Sequence, residues 1–191
     1  MSAGPNATYP DLLKLGEDVR AEIVDGVVGE RAGPSGEHSM AQLGIGAALR
    51  RRFARASGGR WPGGWWLGSE LDVEYELHQV FSHDVAVLRR EHLPDGIKGR
   101  PQRVRPDRAC EILSPSTRRR DQLEKLRVMQ RAGVPYYWLV DPEERTLIVH
   151  RLDGESYRIV LTATADETVR AEPFDAIELR MSVPFDGEDE E

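Results

Sequence analysis

A glutamate stands in the middle of an apolar strand. Ala109, Cys110, Ile112 and Leu113 surround Glu111, and the run breaks at Ser114-Pro115-Ser116 before a helical pattern resumes with Asp121 and Lys125. A short apolar run closed by turn residues reads as a buried strand. A carboxylate desolvated there is costly unless a cation meets it. Side chains alternate along a strand, so Asp107, Ala109, Glu111 and Leu113 share one face, while Cys110 and Ile112 share the other. The helix that follows is expected over Arg118–Ala132. Leu126, Val128, Met129 and Ala132 fall on one arc of it, and Arg120, Glu124, Arg127 and Arg131 on the opposite side. Asp121 and Lys125 lie inside the apolar arc, one turn apart. Plain pairing of these two charges is one reading. The other is functional: the chain has three lysines (Lys14, Lys98, Lys125) against 23 arginines. A lysine on the inner face of an arginine-rich helix points to a need for a compact, titratable ammonium. Lys125 is the natural partner for Glu111.

Asp84 has a similar standing. In the strand Val80–Leu88, Asp84, Ala86 and Leu88 share a face, and Val85 and Val87 the other. Taken alone, Asp84 reads most simply as a strand-end cap. Taken with Glu111, it makes two carboxylates on neighbouring strands, which repel. A divalent cation removes that repulsion, and hard oxygen ligands suit Mg²⁺ or Mn²⁺.

The rest of the chain supplies a scaffold for one domain. Its 191 residues bound it to about that size. Residues 1–7 read as unstructured, residues 8–185 as a single domain and residues 186–191 as an acidic tail. Thr8-Tyr9-Pro10-Asp11 opens a short helix. Asp25-Gly26 between Glu22–Val24 and Val27-Val28 signals a two-residue hairpin. A helix is expected over about Glu37–Ala56, carrying His38 on the same face as Gln42, Ile45, Leu49 and Phe53. His38 reads as a satisfied core histidine or as a residue lining a site. Leu71, Val73 and Tyr75 alternate with acids as a half-buried strand. Arg89–Pro106 is a polar, basic loop, and the strand holding Glu111 spans Val104–Leu113. Tyr136–Val140 is a strand closed by Asp141-Pro142, and Thr146–Leu152 with Tyr157–Leu161 forms a hairpin around Asp153-Gly154. Helices alternating with strands predict an α/β (α+β) chain with a mixed central sheet flanked by helices. Trp65 and Trp66, adjacent in a strand, point to opposite faces and read as packing or a subunit interface.

Composition narrows the partners. No apolar run is long enough to span a bilayer, and the start lacks the basic and apolar regions of a signal peptide. The one cysteine, Cys110, forms no internal disulfide and reads as a small buried hydrophobe in a cytoplasmic chain. The net charge of −7 argues weakly against nucleic acid, but the last six residues hold five acids. Between Arg89 and Arg131, thirteen basic residues face six acidic ones. The basic surplus therefore surrounds the proposed site, as a phosphate-facing surface or as a solvated arginine-rich face.

Three strings carry a resemblance: Ser82–Leu88, Arg105–Leu126 and Gly133–Leu152. With the Asp25-Gly26 hairpin, His38 and Phe185, they resemble the bacterial restriction-endonuclease-like proteins of the Uma type, placed in the PD-(D/E)XK nuclease superfamily. The resemblance runs from about Thr8 to Phe185. It implies a restriction-endonuclease-like core and a Mg²⁺ (or Mn²⁺) site formed by Asp84, Glu111 and the backbone carbonyl of Ile112. The chain departs from the superfamily pattern twice. His83 replaces the proline before the aspartate, and Leu113 stands where a lysine is expected, the family's lysine coming from the next helix as Lys125. The implied activity is metal-assisted hydrolysis of phosphodiester bonds in DNA, with Lys125 orienting water or stabilising charge at phosphorus and Asp121 positioning Lys125. His38 and Asp107 would line the site. Arg118, Arg119 and Arg120 would touch the nucleic-acid backbone, unless they are a solvated helix start. A homodimer is implied for cutting two strands. The competing expectation is a catalytically inactive relative that binds nucleic acid or a protein partner through the same fold.

Overall fold

The computed structural model describes residues 6–16, 18–57 and 59–185. Residues 1–5 and the acidic stretch 186–191 lie outside them. The expected unstructured start does not extend to Ala7, which is buried and donates its N–H to the Gly26 carbonyl at 2.9 Å.

A short helix α1 (Tyr9–Leu13) precedes the hairpin of β1 (Ala21–Val24) and β2 (Val27–Glu30). Asp25 and Gly26 both take positive φ, 49° and 76°, as a tight two-residue turn demands. Helix α2 (Gly36–Phe53) starts at Ser35, whose hydroxyl accepts the His38 N–H. Two long strands follow, β3 (Trp65–Glu76) and β4 (Gln79–Arg89), and then a loop leads to β5 (Arg108–Ile112). That strand is shorter than expected, beginning after Pro106, which has no N–H for a ladder. The helical segment after β5 contains a widened π turn at Arg120–Lys125 before α3 (Leu126–Arg131). Strands β6 (Tyr136–Asp141), β7 (Thr146–Asp153) and β8 (Ser156–Thr164) complete the sheet.

The sheet order is β2-β1-β4-β5-β6-β7-β8, with β3 on β4's other edge. β5 and β6 run parallel, joined by the helical crossover, and the other ladders are antiparallel. The expected mixed sheet with flanking helices is the fold found. β4 organises it. One edge of β4 pairs with β3 along nearly its whole length. The other edge is shared: β1 meets it at Val80, and β5 meets it at Val85–Val87. Between those contacts the strand partners diverge, leaving a gap beside Phe81–Asp84.

Each sheet face carries its own core. Val85, Val87, Cys110, Ile112 and Trp138 pack with Ile45, Leu49 and Phe53 of α2. Ala109, Leu113, Tyr137 and Leu139 pack with Val128 and Met129 of α3. Cys110 is buried as expected, and burial pushes its thiol up to about 12. Sequence patterning foresaw nothing after Leu161, yet this segment forms β9 (Thr168–Val169) and β10 (Leu179–Arg180) and inserts Ala171, Phe174, Leu179 and Met181 into the α2-side core. Strands of two residues are too short to show a period.

Candidate functional site

The gap beside β4 leaves the main chain of Ser82 without a strand partner on that edge, and side chains fill the role. Its N–H donates to Glu22 Oε1 at 3.0 Å, and its carbonyl accepts from Arg31 Nη1 at 3.0 Å and Lys125 Nζ at 3.5 Å. A buried backbone polar group needs such partners, so the gap itself draws charged residues from β1, the end of β2 and the π turn.

Lys125 lies at the centre, 1% exposed. Its ammonium meets Glu22 Oε1 at 2.7 Å, Glu111 Oε2 at 3.0 Å and Asp121 Oδ1 at 3.4 Å. The inward orientation of Lys125 and Asp121 expected from helical phase is the one found, and the Tyr137 hydroxyl bonds the Asp121 carbonyl at 2.9 Å. Lys125 and Asp121 both sit in the π turn. The other oxygen of Glu111 meets His83 Nδ1 at 2.5 Å, and His83 Nε2 meets the Tyr75 hydroxyl at 2.7 Å. Burial, then the Lys125 charge, pushes His83 down to about 3, so the ring is neutral. When Glu111 is ionised, the ring's partners assign the proton to Nδ1, donated to Glu111, with Tyr75 donating to Nε2.

Asp84 turns toward α2. Its Oδ2 accepts from the Ile112 N–H at 2.7 Å and meets His38 Nε2 at 3.2 Å, while Oδ1 meets Arg31 Nη2 at 2.9 Å. Gln42 Nε2 donates to the Asp84 carbonyl at 2.8 Å and to Glu70 Oε1 at 3.1 Å. Opposite Asp84 on β3, Glu70 has φ 49° within a strand, a strained conformation for a non-glycine residue.

The electrostatics are unbalanced. Four buried carboxyl groups (Glu22, Asp84, Glu111, Asp121) face two buried cations, Lys125 and Arg31, and the partly exposed Arg120. Burial opposes the charge of Asp84, but the His38 hydrogen bond and the Arg31 charge prevail and hold it down at about 2. Burial also opposes Glu22, and Lys125 and Arg31 hold it below the ordinary value. Glu111 and Asp121 take the shortfall. Burial lifts Glu111 to about 8 against the pull of Lys125, with Asp84 and Glu22 adding to the rise. Burial likewise lifts Asp121 to about 7. The ammonium of Lys125 resists desolvation because Glu111, Glu22 and Asp121 raise its pKa.

Does this arrangement suit a divalent cation? Among the described residues no three or more His, Cys, Asp or Glu side chains are grouped to hold one. The donor chemistry nevertheless fits. Asp84 Oδ1 and both oxygens of Glu111 each accept one N–H, leaving a lone pair apiece on hard oxygen. The shortage of positive charge also fits. Ile112 joins the site through its N–H.

One expectation is corrected. Asp107 does not line the site. It sits at the opposite end of β5 from Glu111, where its Oδ2 accepts from the Arg89 N–H at 2.7 Å and meets His92 Nδ1 at 3.1 Å. Shared strand parity put the two acids on one face but said nothing of the distance along the strand. Arg118, Arg119 and Arg120, expected to touch nucleic acid or to form a solvated helix start, each meet an acid, and the side chain of Arg119 is 80% exposed. Arg118 bonds Asp141 and Glu143, Arg119 meets Glu124 at 2.9 Å, and Arg120 meets Glu22 at 3.1 Å. His38 does line the site.

Sequence reasoning missed Glu22, Arg31, Gln42, Glu70 and His83 as site members. Glu22 bore the same mark as Glu111, an acid amid strand residues, within Ala21-Glu22-Ile23-Val24. Arg31 bore no mark, being one of many arginines in a polar stretch.

Residues 7–183 match the family described as Uma2, putative restriction endonuclease. The chain belongs to the Uma2 family. A solved structure from Anabaena variabilis ATCC 29413, described as a putative nuclease belonging to DUF820, superposes with a TM-score of 0.74 at 21% sequence identity, covering 93% of this Uma2 chain and 97% of the other. At that identity the likeness establishes the fold. No curated protein matches this Uma2 member significantly. Among its described residues, no helix is long and apolar enough to cross a membrane.

Proposed function

We propose that the chain is a metal-dependent nuclease that hydrolyses phosphodiester bonds in DNA. The observation that carries this reading is the convergence of Asp84, Glu111 and Lys125, from two strands and a π turn, on a gap with an excess of buried carboxylates. The family and the solved relative, both described as nucleases, support it. Asp84 and Glu111, with the Ile112 carbonyl, would hold Mg²⁺ or Mn²⁺, which supplies Lewis-acid activation of water and neutralises phosphate charge. The chain's own groups do the remainder. Lys125 offers an ammonium to charge developing at phosphorus. Glu22 and Asp121 hold that ammonium in place, His83 fixes one oxygen of Glu111, and His38 fixes one of Asp84. Cutting both strands of a duplex takes two such sites, hence a homodimer.

A second reading is a nuclease fold that binds without cutting. The observation favouring it is that both oxygens of Asp84 and of Glu111 already accept from nitrogen donors. Calorimetric titration with Mn²⁺ separates the two. The nuclease reading expects stoichiometric binding that disappears in Asp84→Ala and Glu111→Ala, and plasmid cleavage that Lys125→Ala lowers by at least a hundredfold. Absence of binding and cleavage in the intact chain would leave the second reading standing.

A further inference from the structure

A second stretch rich in arginine lies apart from Arg118, Arg119 and Arg120. Residues 38–69 hold five arginines and no Asp, Glu or Lys, within a chain of net charge −7. Two of them, Arg50 and Arg55, are exposed on and just beyond the last turn of α2 and have no ion pair among the described residues. They edge a chain of three depressions. The first, about 420 Å³, lies along the end of α2 and is lined by Ala47, Arg50, Arg51 and Arg55. It shares Ala47 and Arg50 with a second, about 540 Å³, between α2 and β3, floored by Gly46, Gly68 and Ser69 and reaching Gln42. That one shares Arg20 and Glu70 with a third, about 420 Å³, walled by Arg31, Ser82 and Arg100. The three share walls, the Arg20–Glu70 ion pair standing between the second and the third, and together they are taken as one trough.

The second and third depressions border the cluster around Lys125. Gln42, Glu70, Arg31 and Ser82 all contact Asp84, Lys125 or their neighbours and are also walls of the trough. Six arginines line its length (Arg20, Arg31, Arg50, Arg51, Arg55, Arg100) against two acids, Glu70 and Asp72. Three of the arginines are engaged, Arg20 with Glu70 at 2.6 Å, Arg100 with Asp72 at 2.8 Å and Arg31 with Asp84 at 2.9 Å, while Arg50 and Arg55 have no ion pair among the described residues. From Gln42 to Arg55 the helix and its end span roughly 20 Å at 1.5 Å per residue, long enough for several phosphates. The small residues of the floor let a backbone approach closely.

We propose that this trough is the track of one polynucleotide strand, with Arg50 and Arg55 gripping phosphates away from the scissile bond. This deepens the nuclease reading and rests on it for the identity of the strand. The exposed guanidiniums of Arg50 and Arg55 at the α2 end of the trough, not a property of the acid cluster, carry the proposal. Sequence-independent binding to phosphates releases counterions and weakens with salt, with a slope set by the number of contacts.

The test is fluorescence anisotropy of a labelled single-stranded 15-mer and the matching duplex, titrated with the full chain in EDTA across a salt series. Arg50→Ala/Arg55→Ala is expected to weaken single-strand binding about tenfold at low salt and flatten the log–log salt slope by about 1.4. Arg118→Ala/Arg119→Ala, on the other sheet face, is expected to leave both unchanged. Unaltered affinity and slope in the first variant would overturn the track, as would a loss confined to the duplex. The two readings fail separately. Asp84-dependent cleavage with no effect of Arg50 and Arg55 removes the track and keeps the nuclease. Arginine-dependent strand binding without Mn²⁺ binding or cleavage removes the nuclease and keeps the track.

Discussion

Lys125 is one cation among three carboxyl groups, and the consequence is a linked dependence on pH. Glu111 and Asp121 hold protons up to about 8 and about 7 in the folded chain, far above their ordinary values of 4.5 and 3.8. A group with a raised folded pKa favours folding below its ordinary value and loses that contribution as pH climbs to the folded value. Their share of stability is therefore present below about pH 4 and gone by about pH 8. Removing the ammonium deepens this loss, because a buried charge left without its partner costs about 3–5 kcal/mol. Lys125→Met is expected to lose about that much at pH 8 and clearly less at pH 5, by chemical denaturation at both. Arg31 gives the opposite result with metal. Its guanidinium occupies Asp84 Oδ1, so Arg31→Met is expected to bind Mn²⁺ more tightly than the intact chain in calorimetry. It should also gain more thermal stability on adding Mn²⁺, since a ligand stabilises only the folded state. Equal or weaker Mn²⁺ binding would count against competition at that oxygen. The sequence made Lys125 legible because helical phase and lysine scarcity agreed. It left Arg31 illegible because an arginine's role depends on which acid it meets, and Arg31 and Asp84 lie on different hairpins.

At the scale of elements, β4 explains both what was readable and what was not. Its long ladder with β3 follows from alternation and apolar runs, and the strands were foreseen. The gap on its second edge follows from where β1 and β5 diverge, which no local pattern encodes. The π turn is a second such feature. The α-helical phase placed Asp121 and Lys125 inward, and within the π turn both are buried. β5 carries a further oddity. Arg108 is fully buried with its guanidinium 4.1 Å from the Trp138 ring and 5.3 Å from Phe174, and none of its three guanidinium nitrogens has a hydrogen-bond partner in the structure. Burial pulls its pKa down to about 10. Stacking offsets part of the desolvation cost, but an unsatisfied buried donor still costs about 1–3 kcal/mol. Arg108→Met, which keeps the packing and drops the donors, is expected to raise the unfolding free energy by about 1–3 kcal/mol in urea titrations. A destabilised variant would mean that the stacked cation contributes more than its lost hydration.

Across the whole molecule, charge is sorted more finely than the net value implies. The acids gather beneath β4's gap, and Arg50 and Arg55, without an ion pair among the described residues, stand at the α2 end of the trough. The overall architecture was legible because hydrophobic alternation, turn residues and the parallel crossover agree with one another. The C-terminal segment was not, since its contribution is a few apolar side chains inserted from irregular backbone. The hairpin of β1 and β2 shows what this arrangement entails. It meets β4 through a single ladder pair, Ile23 with Val80, and is fastened at its turn by the Gly26 N–H to the His78 carbonyl. Glu22 and Arg31 both ride near its free end. Any swing about the fastened turn that lifts the guanidinium from one carboxylate also withdraws a carboxylate from the ammonium, so unblocking the centre and recharging it are a single movement.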